Sequence, residues 1–227
     1  MCQDKEVSKL MARDAGLMVP NHRLVRRLED LERVSDFPLP YVAKPLLEGS
    51  SIGISQRNLI QDRNDGEILV RELLAQFEQP VMIEEFVSGR EVNWNFIESS
   101  IDPMRAFVEV RWSANENYFE THIFDAAMKD ISDVEQAIVP IDDLLAPEDR
   151  KALERLLQIS GPLGYGRIDG KFVNGRFIFL ELTPDAWLGA AGSFATSFAA
   201  QGYSYPALIE RILFSAVETL PRQVASD

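Results

Sequence analysis

Between residues 4 and 15 the apolar positions Val7, Leu10, Met11 and Ala15 recur at helical spacing and Gly16 follows, which predicts a short amphipathic helix with a left-handed stop. After Pro20, residues 22–26 read as a strand and residues 29–34 as a helical stretch. Pro-Leu-Pro then leads into the apolar tripeptide Tyr41-Val42-Ala43, a strand that delivers Lys44. Asn64 is placed to cap a helix running to Phe77, and the strand Val81-Met82-Ile83 leads into Glu84 and Glu85. Residues 91–98 and 106–111 carry further strand patterns. From 112 to 146 the polarity is high and the pattern weak, as in a long excursion. Pro147 opens a helix to Ser160 with Leu153, Leu156, Leu157 and Ile159 largely on one side. Two alternating strands, 166–173 and 176–182, are joined by Asn174-Gly175, a strong hairpin signal. Residues 204–219 return to helix, and Pro221 to Asp227 read as a frayed tail.

Composition narrows the partners. With 227 residues, 46% hydrophobic and 26% charged, the chain suits one compact domain or two small lobes. A net charge of -13 and a pI near 4.7 disfavour a nucleic-acid or anionic-membrane partner, while leaving room for a local basic pocket. Cys2 is the single cysteine, and His22 and His122 form no zinc-type spacing, so a disulfide framework and a zinc finger are excluded. A metal here would be held by carboxylates, which select a hard cation such as magnesium. The N-terminus carries no apolar signal region, and no apolar run nears the roughly 18 residues of a spanning helix. A soluble, cytoplasmic protein is the resulting expectation.

Candidate chemistry concentrates in two places. In Lys44 to Ser55 a strand-borne lysine enters a loop where Gly49 and Gly53 free the backbone and Ser50 and Ser51 add donors, a composition suited to phosphate. The same composition also suits an ordinary turn. The second place is the hairpin, whose turn lies midway between Asp169 and Glu181, so folding brings the two carboxylates within a position or two of each other. A divalent cation is the usual remedy for such repulsion; two solvated acids are the plain alternative. The apolar neighbours Ile168 and Phe172 of Asp169, and Phe179, Leu180 and Leu182 around Glu181, weigh against that alternative. Arg167, two residues before Asp169 on the same strand face, is placed to stabilise negative charge.

These segments, in this order, resemble the ATP-grasp fold and within it the D-alanine:D-alanine ligases. The resemblance runs through Asp4-Lys5 and Ser8-Lys9, Ala15 to Pro20, Lys44 to Ser55, Ile83 to Glu91, Gly164 to Asp169, Leu180 to Pro184, and Gly202 to Tyr205. It implies an α+β fold of two lobes, residues 1–88 and 89–227, each an antiparallel sheet with helices, with ATP between them. It implies that Lys5 and Lys44 contact phosphates under a loop of Glu48, Gly49, Ser50 and Ser51. Adenine would lie at Glu84, Phe86 and Val87, with Glu91 on the ribose and Lys129 on a loop over the site. Asp169, Glu181 and Thr183 would hold magnesium, or manganese in its place, and Arg167, Lys44 and Ser51 would act in catalysis. The implied reaction is ADP-forming: a carboxylate is activated as an acyl-phosphate and then attacked by an amine, with no side-chain nucleophile required.

Three departures bear on the substrate. The chain starts almost at the Asp4-Lys5 motif, where family members carry a preceding lobe that helps bind the first amino acid. Thr183 stands where an asparagine ligand is usual, with Asp185 close by, and Trp187 stands where glycine is usual in the amine-substrate region. Trp187 is read two ways, as a pocket wall or as packing in a remodelled core. The sequence thus points to a carboxylate-amine ligase acting on small molecules other than a simple D-alanine pair. The alternative is a non-catalytic nucleotide-binding subunit, completed by a second copy or a separate protein bearing the absent lobe.

Overall fold

In the computed structural model of the protein, residues 4–112, 115, 117–129 and 136–219 are described; Cys2, the tail from Pro221 and the Lys129 side chain lie outside them. Two antiparallel sheets organise the chain. The smaller runs β1 (His22–Val25), β4 (Val81–Glu85), β2 (Tyr41–Pro45), β3 (Leu59–Ile60) in spatial order. The larger runs β7 (Gln136–Pro140), β6 (Met104–Trp112), β5 (Arg90–Ile97), β8 (Tyr165–Val173), β9 (Arg176–Pro184). The helices are α1 (Lys5–Ala15), α2 (Glu32–Ser35), α3 (Arg63–Phe77), α4 (Pro147–Ser160), α5 (Ser193–Ala199) and α6 (Tyr205–Thr219). The expected α+β fold with two antiparallel sheets is therefore present. Among the described residues no helix is long and apolar enough to cross a membrane.

Strand alternation decides which face of the smaller sheet meets which partner. Tyr41, Ala43, Val81 and Ile83 point one way and pack with Leu69, Val70 and Leu73 of α3. On β2 and β4 the intervening positions carry Lys44, Met82 and Glu84, so the same two-residue period aims a lysine and a glutamate at the opposite face. In the larger sheet Val92, Trp94, Phe96, Ile168, Phe177 and Phe179 share a core with Leu153, Leu156 and Leu157 of α4. Ala12 and Ala15 of α1 belong to that same core, so the first helix of the 1–88 segment packs with the 89–227 part.

The structure corrects several local expectations. The buried face of α1 is Lys5, Ser8, Lys9, Ala12 and Ala15, whereas Leu10 is 52% exposed. The apolar count misplaced this face because two lysines occupy it. The cap of α3 is Asp62, whose carboxylate accepts from the backbone N–H groups of Asn64 and Asp65; Asn64 lies inside the helix. β7 and α5 fall where no element was foreseen. β7 offers only Ala137, Ile138 and Val139 amid polar residues, and its pairing with β6 at the sheet edge is what makes it a strand.

Candidate active site

Asn174 and Gly175 both take left-handed φ, 51° and 78°, as a two-residue hairpin turn requires. From that turn the strands pair Phe172 with Phe177 and Gly170 with Phe179, then skip Leu180 and pair Asp169 with Glu181. This bulge changes the alternation of β9. Phe177 and Phe179 stay in the core, while Glu181 turns to the face that carries Asp169. Opposite Asp169 on the other side is Asn93 of β5, whose Nδ2 donates to Asp169 Oδ1 at 2.8 Å. Arg167 Nη2 donates to Asp169 Oδ2 at 3.0 Å and its Nη1 to Ser193 Oγ at 3.0 Å. Burial opposes the Arg167 charge, but Asp169 outweighs it and raises the guanidinium pKa. Thr183, paired with Arg167 across the ladder, donates to Asp169 Oδ2 at 3.4 Å.

α1 brings two ammonium groups to this face from positions four apart, which lie one above the other on a helix. Lys5 Nζ stands 3.4 Å from Glu181 Oε1 and donates to the Glu48 carbonyl. Burial lowers its pKa, with Glu181 opposing the shift. Lys9 donates to the Leu180 carbonyl at 3.0 Å and pairs with Glu84 Oε2. Lys44 reaches the same carboxylate, Nζ to Oε1 at 2.7 Å. Burial alone would push the Glu84 pKa up; the two lysines overcome it and bring it down to about 2.

That depression predicts acid sensitivity. The folded-state value lies below the ordinary 4.5, so Glu84 adds stability above pH 4.5 and loses it as pH falls towards 2. The contribution is on the order of 3 kcal/mol. Urea midpoints recorded from pH 5.5 to 2.5 should fall more steeply for the wild type than for Glu84→Gln; parallel slopes would refute this assignment.

The loop after Lys44 departs from the glycine-based expectation. Gly49 takes no left-handed conformation and has open space where a Cβ would stand. The left-handed residues are Ser50 (φ 54°), Ser51 (φ 59°) and Gly53 (φ 74°). Left-handed serines store on the order of 1–3 kcal/mol each, a strain that clusters at ligand clamps. Gly53 is required for packing as well, since a Cβ there would lie 2.7 Å from Phe77 and 2.9 Å from Pro45. Gln79 holds the start of the loop, donating to Glu48 Oε1 at 2.8 Å and accepting from Leu47 N–H at 2.6 Å. Gln56 closes its far end, donating to the Ile123 carbonyl at 2.7 Å and to Asp125 Oδ2 at 2.9 Å.

Just past the end of β4, Phe86 N–H donates to the Pro40 carbonyl at 3.1 Å, and Val87 follows it. Glu91 pairs with Lys171 at 3.0 Å, and the Lys171 ammonium lies 5.8 Å from the Phe86 ring centre. Trp187 is 72% exposed and lies over Gly189 and Gly192, where an added Cβ would come within 2.2 and 2.8 Å of the indole. The reading of Trp187 as core packing is thereby overturned. Among the described residues no group of three or more His, Cys, Asp or Glu is arranged to hold a metal. The two-carboxylate face of Asp169 and Glu181, with the Thr183 hydroxyl beside it, suits one hard divalent cation in charge and donor type.

Lys9, Gln56, Gln79, Asn93 and Lys171 line the candidate site without having been singled out by the sequence, whereas the segment of Gly192 and Ser193 is read there as a place for a substrate carboxylate. The helical spacing of Lys9 from Lys5 and the strand spacing of Asn93 from Glu91 and of Lys171 from Asp169 were available signals. The two glutamines had none.

Residues 11–214 match the family model described as D-ala D-ala ligase C-terminus. The chain belongs to that family. D-ala D-ala ligase relatives resemble it over almost its whole length. It is 27% identical over 94% of its length to the D-alanine--D-alanine ligase of Mannheimia succiniciproducens, of which it covers 67%. It is 30% identical over 96% to that of Syntrophobacter fumaroxidans, of which it covers 69%. Among solved structures, the D-alanyl-alanine synthetase A of Vibrio cholerae superposes with a TM-score of 0.72 at 15% identity, over 95% of this chain and 66% of that one. The chain thus spans about two thirds of the length of these ligases and shares the ATP-grasp fold with them.

Proposed function

We propose that the protein is an ATP-dependent, ADP-forming carboxylate-amine ligase working with a divalent cation between its two sheets. The observation that carries this reading is Lys5 Nζ standing 3.4 Å from Glu181, which pairs with Asp169 across the hairpin, beside the Lys44–Glu84–Lys9 charge cluster. Lysines of a phosphate site and carboxylates of a metal site face one another, as phosphoryl transfer demands. Magnesium bound at Asp169 and Glu181 would neutralise charge on the transferring phosphate. Lys44 and Lys5 hold the phosphates, and the Ser50–Ser51 turn offers backbone N–H groups to them. A substrate carboxylate oxygen attacks the terminal phosphorus, ADP leaves, and the amine nitrogen then attacks the activated carbonyl carbon, expelling inorganic phosphate. Arg167, fixed between Asp169 and Ser193, faces the charge that develops on the carbonyl oxygen.

For the amine substrate we propose a molecule other than a plain D-alanine pair. Support comes from the Trp187 indole lying across Gly189 and Gly192, directly before Ser193. The test is ADP release with magnesium, ATP and panels of D- and L-amino acids and small carboxylates. Release with some pair and a melting temperature raised by ATP are the expected results. No release with any mixture would sink the ligase reading, and release with D-alanine alone would sink the substrate proposal.

A further inference from the structure

We propose that Lys9 is a positioning residue of the phosphate site: it occupies one oxygen of Glu84 so that Lys44 keeps net positive charge for an anionic ligand. This rests on the reading of the cleft as a nucleotide site. Glu84 is a single carboxylate facing two ammonium groups, Lys44 on Oε1 and Lys9 on Oε2, and it is 3% exposed. Without Lys9 the Lys44–Glu84 pair would be neutral, and an anion approaching Lys44 would meet an equal negative charge behind it. With Lys9 the triad carries one net positive charge, in a chain whose overall charge is -13. A positive site has to be built locally here.

The position of Lys9 is fixed from both sides of the cleft. α1 packs on the larger sheet, while Glu84 belongs to the smaller one. The second partner of Lys9 is the carbonyl of Leu180, the extra residue of the bulge that turns Glu181 towards Asp169. One buried ammonium therefore connects the phosphate lysine to the strand irregularity that builds the carboxylate pair. A purely structural role would be served equally well by an apolar side chain, since replacing buried charge by packed hydrophobic atoms is often neutral or stabilising. Lys9 is fully buried, and burial lowers its pKa to about 8, so the charge is kept against a penalty.

The test compares ATP affinity by titration calorimetry, with magnesium, for wild type, Lys9→Met, Glu84→Gln and the double variant, alongside melting curves without ligand. Inorganic tripolyphosphate serves as a second probe that lacks the base. Lys9→Met should bind both ligands about tenfold or more weakly. The double variant, in which Lys44 again carries the one net charge, should recover most of the loss. Recovery by removing a second charge is a result that lost packing would not give. Wild-type affinity in Lys9→Met, or a double variant as weak as the single, would overturn the inference while leaving ATP binding by the wild type intact. Wild-type protein that binds neither ligand would overturn the nucleotide reading and this inference together. Should Lys9→Met not fold, Glu84→Gln and the double variant decide: tighter binding by Glu84→Gln than by the double supports the charge count, and equal binding refutes it.

Discussion

Asp169→Asn should cut ATP-dependent ADP release by about two to three orders of magnitude while leaving the fold intact. The asparagine keeps the shape that Asn93, Arg167 and Thr183 contact, so the change is almost purely one of charge. Two consequences act in the same direction. The Asp169–Glu181 face loses half of its negative charge, which weakens divalent-cation binding, and Arg167 loses the partner that aims it. Coupled-enzyme measurement of ADP at several magnesium concentrations separates the two effects. Rescue at high magnesium points to the cation, and a rate insensitive to magnesium points to Arg167. A rate equal to the wild type would remove Asp169 from the chemistry altogether. Glu181→Gln should behave similarly, with the difference that it releases Lys5 rather than Arg167.

The largest loss of stability should come from Trp94→Ala. Trp94 is fully buried in β5, the middle strand of the larger sheet, 6.1 Å from the Phe96 ring and with the Arg105 guanidinium 5.2 Å from its own. Truncating such a side chain costs about 3–5 kcal/mol, against a total stability on the order of 5–15 kcal/mol. For a protein of this size that corresponds to a drop of roughly 6–20 °C in melting temperature. Calorimetry would check it, and a shift within error of zero would mean that the two faces of β5 are not sealed as described. Asn93 and Asn95 are the sequence neighbours of Trp94 on the opposite strand face, so ADP release should fall together with the melting temperature.

The hairpin at Asn174-Gly175 was legible because its turn chemistry is local, and the carboxylates followed by counting residues from it. The count was uneven, five residues on one side and six on the other. The bulge at Leu180 absorbs the difference, because only packing of Phe177 and Phe179 against α4 and α1 forces an irregularity there. The loop after Lys44 was legible from its composition but misassigned in detail: the left-handed positions are Ser50, Ser51 and Gly53, and Gly49 is conformationally ordinary. β7 went unseen because an edge strand with three apolar residues gains its identity from β6 rather than from its own pattern.

By itself the sequence determined what is encoded over short range. That includes the helix over 147–160, the hairpin, the strand that carries Lys44, the carboxylate-only character of any metal site and, through ordered motifs, the family. Tertiary structure decided which charges meet. Lys9 and Glu84, both buried, are 75 positions apart, and no periodicity in either segment announces their pairing. A helix face that reads as polar was buried because its lysines find carboxylates on strands from both sheets. Burial of charge depends on a partner's position in space, and spacing along the chain carries no record of it.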